Sequence, residues 1–159
     1  MIRKIAVCLF FALFMLTSCE KNKIESKSPA ELPEPSEIYA AIVKTAELPE
    51  MVELPQELFP YYYGIESDWF DSAVSYTCLD VLQPDEIVIV RAVSENAADD
   101  ITEKLEARLA YKKKSAENYL PETIPFIRDG VIRQDGLTVS LLVSGEIDAI
   151  IRVYNNAAN

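Results

Sequence analysis

The chain contains no histidine. That absence removes an imidazole base, a His-ligated metal centre and a Ser-His-Asp triad. Glycine is nearly as scarce, with 4 residues among 159, at positions 64, 130, 136 and 145. No glycine-rich loop exists to cradle a phosphate. Basic residues are outnumbered, 15 against 26 acids, for a formal charge of −11. Nucleic acid is therefore not a partner, because phosphate binding needs clustered Lys and Arg. No cofactor and no metal site is expected. A chain of this length holds one ordinary domain with a core of its own.

What is present begins with a short basic head, Met1-Ile2-Arg3-Lys4, and an uncharged apolar run of 12 residues from Ile5 to Leu16. Small residues follow, and charged sequence starts at Glu20. This is the pattern of a secretory signal peptide, and the run is too short for a helix that must cover about 20 residues of hydrocarbon. The exit, Leu16-Thr17-Ser18-Cys19, resembles the bacterial lipobox. The resemblance implies a leader over 1–18 and a diacylglycerol on Cys19, anchoring the chain to the outer side of a lipid bilayer; two acyl chains hold stably where one holds marginally. With Cys8 removed and Cys19 acylated, Cys78 is left alone and no internal disulfide forms. Cys78 reads as a small buried apolar residue.

Residues 19–34 form the lipidated cysteine and a tether. The stretch is charged, carries Pro29 and Pro33, and has only Ile24 and Leu32 as sizeable apolar side chains, so it is expected to be disordered. The domain is expected over 35–156. A helix opens at Pro35 with Ser36 as its cap. Only short helical turns are expected between Pro49 and Pro60. Strands follow at about 72–80 and 86–93, and the second, with Ile87 to Val90 all apolar, reads as central. The clearest helix runs from Asn96 to Asn118, capped by Asn96 with Asp99. Tyr119 and Leu120 are expected to fold back onto the core ahead of Pro121. Asp135-Gly136 joins two further strands as a hairpin, and a closing helix follows with Ser144 at its start. The expected fold is α+β, an antiparallel four-stranded sheet with helices packed on one face.

Several segments taken together resemble a family of lipoproteins from clostridia and related Gram-positive bacteria, known as domain of unknown function 4358. They are the lipobox at Cys19, Tyr63-Gly64-Ile65, Pro84-Asp85-Glu86-Ile87, the helix carrying Arg108, Tyr119-Leu120-Pro121, and Leu141-Leu142-Val143-Ser144. The likeness covers about residues 36–155. The chain departs from it at Cys78-Leu79-Asp80-Val81 and at Asp135-Gly136-Leu137. The resemblance implies a location and a fold, and no mechanism.

Paired carboxylates are the one enzymatic option the composition leaves. Asp80, Asp85 and Glu86 lie between two strands, with Asp68 and Asp71 just before them, and a glycosidase needs two such groups facing across a cleft, one with a raised pKa. In so acidic a chain close pairs arise at almost any turn. The same acids lack the alternation of a calcium loop. Arg108 is read as a structural partner of Glu103, Glu106 or Glu86, or else as a ligand contact. Lys112, Lys113 and Lys114, the one basic cluster of the mature chain, are read as a solvated helix face, with a patch for phosphate or anionic lipid as the alternative. The segment from Phe59 to Phe70 holds the candidate binding surface, Tyr61, Tyr62, Tyr63 and Trp69. Pro60 and Gly64 bracket the three tyrosines, so Tyr61 or Tyr62 should face solvent while Tyr63, Ile65, Trp69 and Phe70 anchor the turn. The expected function is a non-catalytic module that binds an envelope protein or glycan. The alternative is a carboxylate-dependent hydrolase acting on cell-wall glycan.

Overall fold

The computed structural model describes residues 32–80 and 82–157. The expected leader, Cys19 and the tether up to residue 31 lie outside the described residues. Helix α1 spans Pro35–Thr45. Proline occupies its first turn, where the ring presets a helical φ, and no side chain caps it; Ser36, the expected cap, lies inside the helix. Strand β1, Met51–Glu53, follows between Pro49 and Pro55, where only helical turns were expected. A 3-10 turn and the one-turn helix α2, Phe59–Tyr62, lead into strand β2, Phe70–Cys78.

Strand β3, Glu86–Ala92, precedes the long helix α3, Glu95–Tyr119. The α3 cap is Ser94, whose Oγ accepts from the Ala97 N–H at 3.2 Å, rather than Asn96. Helix α4, Ile124–Arg128, strands β4, Val131–Asp135, and β5, Thr138–Val143, and helix α5, Ile147–Ala157, follow. The β4–β5 turn has two residues, with a φ of +62° at Gly136 and none positive at Leu137, as a type II′ turn requires.

The strands form one antiparallel sheet of five, in the order β1-β2-β3-β5-β4. The fold is α+β as expected, with β1 as the additional strand. Helices cover both faces of the sheet rather than one. Val88, Val90, Val139, Leu141 and Val143 meet Ile101, Leu105 and Leu109 of α3. On the reverse, Ile87, Ile89 and Leu142 meet Ile38 and Ile42 of α1 and Ile150 and Tyr154 of α5. The physical reason lies in β3 itself. Successive strand residues point to opposite faces, so a strand apolar at four consecutive positions needs cover on both.

Order begins before Pro35. Leu32 is buried in the α1/α5 core. The Arg91 guanidinium on β3 donates to the carbonyls of Leu32 and, at 3.0 Å, Pro33, and pairs with the Glu34 carboxylate. Residues 32–34, assigned above to the tether, therefore belong to the domain. Leu32 supplies the apolar surface and Arg91 satisfies the backbone carbonyls.

The two faces yield a direct test. Ile89→Ala, on the α1/α5 side, and Leu105→Ala, on the α3 side, should each lower stability by about 2–5 kcal/mol in urea denaturation. A sheet covered on one face would lose that much only at Leu105.

Candidate functional site

Glu86 opens β3 on the α3 face and has no solvent-accessible surface. Its partners come from two elements, and a third braces one of them. From α3, Arg108 Nε lies 3.1 and 3.3 Å from its two carboxylate oxygens, and Lys112 Nζ lies 2.7 Å from Oε2. From the end of α2, the Tyr63 hydroxyl donates to Oε1 at 3.0 Å. The Ser75 hydroxyl on β2, 2.7 Å away, is then free to donate to the tyrosine oxygen.

This arrangement follows from local sequence. Arg108 and Lys112 are four residues apart and so lie one turn apart on one face of α3. Gly64 takes a φ of +69° and turns the chain just after α2, where Ile65 N–H returns to the Phe59 carbonyl at 3.4 Å. Tyr63 and Ile65 are thereby buried, Trp69 and Phe70 pack against the same core, and Tyr61 and Tyr62 stay on the surface. Of the four aromatic residues proposed as a binding surface, Tyr61 and Tyr62 are thus exposed, Tyr63 belongs to the Glu86 cluster, and Trp69 is partly buried.

The electrostatics follow from burial and charge. Burial raises the Glu86 pKa, but Lys112 and then Arg108 outweigh it and hold the carboxyl below its ordinary value of 4.5. For Arg108 burial lowers the pKa, and the Glu86 carboxylate more than restores it. Burial, followed by the Glu86 charge, pushes the Tyr63 phenol well above its ordinary value. Glu86 is therefore an anion at neutral pH and not a proton donor. The neighbouring Asp85 is buried too, but it accepts from Ser144 Oγ at 2.6 Å. Being one residue earlier in an extended segment, it points to the opposite side of the sheet. Asp68, Asp71 and Asp80 are exposed. Among the described residues no group of three or more acids or cysteines is placed to hold a metal ion.

Around the cluster runs a series of rings. The Arg108 guanidinium lies between Tyr63 and Tyr111, 5.8 and 5.9 Å from the two ring centroids. Tyr111 and Lys112 in turn line a groove of about 310 Å³, with Pro84, Tyr119, Leu120 and Ile127 among its walls. Tyr119 is 81 % exposed instead of folding onto the core, because the last buried residue of α3 is Ala116 and the helix runs a turn beyond it. Tyr111 is 64 % exposed. Tyr111 did not stand out in the sequence, and Lys112, read there with its two neighbours as a solvated face, is instead largely buried against Glu86. For Lys112 the signal was its spacing from Arg108, hidden within a run of three lysines.

The family model described as domain of unknown function (DUF4358) matches residues 44–144. The chain belongs to the DUF4358 family. The matched span contains all five strands, α3, the Glu86 cluster and the groove, while most of α1 and all of α5 fall outside it. No curated protein and no solved structure matches this DUF4358 chain.

The depressed pKa of Glu86 fixes the sign of a pH effect. A carboxyl that ionises more readily folded than unfolded contributes fully above about pH 4.5, and the contribution falls as acidification passes that value towards the folded pKa. The urea midpoint should therefore drop as the pH is lowered below about 4.5, and drop less in Glu86→Gln. At neutral pH that variant should be less stable by about 2–3 kcal/mol, below the loss for a fully buried pair because Arg108 and Lys112 retain some water.

Proposed function

We propose that the protein is a lipid-anchored extracytoplasmic binding module, non-catalytic, whose partner is a glycan or a protein of the cell envelope. The observation that carries this reading is the pairing of two features. The deeply buried carboxylate is fully engaged by Arg108, Lys112 and Tyr63, and the surface beside it offers exposed tyrosines around a groove. An acid–base hydrolase needs a desolvated, unpaired carboxyl whose pKa is raised; Glu86 is shifted the other way. Exposed tyrosines, by contrast, give rigid contact area at low side-chain entropy cost.

The location rests on the basic head, the apolar run and Leu16-Thr17-Ser18-Cys19. Among the described residues no helix is long and apolar enough to cross a membrane. Attachment is assigned to the lipid on Cys19 on the likeness of Leu16-Thr17-Ser18-Cys19 to a lipobox. Cys19→Ala should release the protein from the membrane fraction on cell fractionation. Unchanged membrane retention and processing would defeat the anchor.

The binding reading predicts that the full-length protein in detergent sediments with washed envelope material. Tyr111→Ala/Tyr119→Ala should lose that retention and keep the wild-type melting temperature within a few degrees, since both rings are largely exposed. Release of soluble sugar by the wild-type protein, abolished when an acidic residue is neutralised, would favour the hydrolase instead.

A further inference from the structure

The groove differs in charge from the rest of the molecule. The chain as a whole is strongly acidic, yet among the described residues no acid lines the groove and Lys112 is its one charged member. Lys112 shares the Glu86 carboxylate with Arg108. Arg108 alone reaches both oxygens of Glu86, and Tyr63 donates a further hydrogen bond. One carboxylate thus faces two cations, which leaves a net positive charge beside an apolar cleft. At 13 % exposure the Lys112 side chain is held in place by Glu86 rather than waving in solvent. A fixed, partly desolvated ammonium attracts an anion more strongly than a mobile surface lysine does.

The remaining lining narrows the anion. Tyr111 and Tyr119 lie eight residues apart on α3, about 12 Å along the axis and rotated by about 80°, so they flank the groove at two ends. Two rings so spaced fit an extended chain of repeating units better than a single small molecule. Ser115 and Gln83 line the same groove with hydroxyl and amide groups, and Pro84 and Leu120 add apolar surface. The α3 backbone is committed to its own helix and has no free donors for a peptide main chain. Aromatic faces for C–H surfaces, hydroxyl and amide side chains for hydroxyls, and one fixed cation are what a sugar chain with carboxylates requires.

We infer that the groove beside Lys112 binds an acidic oligosaccharide, its carboxylate paired with the Lys112 ammonium and its sugar faces laid on Tyr111 and Tyr119. This deepens the binding reading above and rests on it. The test is calorimetric titration of the full-length protein in detergent with three probes: a galacturonic acid trimer, its methyl ester, and a triglutamate peptide. The free-acid trimer should bind saturably, the ester roughly tenfold or more weakly, and the peptide not at all. Tyr119→Ala, which removes an exposed ring and leaves the Glu86 cluster whole, should weaken the acid trimer by a similar factor. Equal binding of acid and ester overturns the role of Lys112, and equal binding of the peptide overturns the sugar assignment. If no probe binds while the protein still sediments with envelope material, the inference fails and the broader binding reading stands. If both fail, the binding reading fails with it.

Discussion

Moving a carboxylate out of water costs several kcal/mol unless cations and donors surround it. Glu86 imposes that demand at the first residue of β3, and much of the surrounding structure answers it. The demand sets the rotation of α3, because Arg108 and Lys112 must both face the start of the strand. It also ties down the Gly64 turn, because Tyr63 must bring its hydroxyl inward past Ser75. The tyrosines at 61 and 62 face outward as a consequence, since neighbours in so tight a turn cannot share one direction. The groove is a by-product of the same geometry: one flank is the helix stripe that carries Lys112.

Residue patterns made much of this visible. Four consecutive apolar residues marked β3 as central, Asp135-Gly136 marked the hairpin, and Glu86 was among the three acids offered to Arg108. The two-sided cover was also encoded, since Ile87 and Ile89 alternate with Val88 and Val90, but helix amphipathicity says that a face is buried and not which face of the sheet receives it. Strand β1 escaped because three residues between prolines have no usable period; it exists through its pairing with Tyr76, Thr77 and Cys78. The cap at Ser94 escaped because Asn96 and Asp99 imitate a capping pair two residues later. Leu32 looked solitary among charged neighbours, and only the tertiary fold supplies Ile38 and Ile42 beside it.

The candidate site was less legible than the fold for a physical reason. Its parts come from α2, β2, β3 and α3, so their convergence is a property of topology rather than of any local motif. A single short-range cue survived, the four-residue step from Arg108 to Lys112. The tyrosines were legible where prolines and glycine constrained the backbone, at 61–63. They were not legible at 111 and 119, where an ordinary helix carries them past the end of its packed region.

The Arg91 contacts have a mechanical consequence. They fasten residues 32–34 to β3, which has a neighbour on each side, rather than to an edge strand that could peel away. Tension drawn through the chain ahead of Leu32 is therefore delivered to the best-supported strand of the sheet. That load enters on the α1/α5 side, while the groove lies on the α3 side. Strain at the attachment point must cross the whole thickness of the sheet before it can deform the groove.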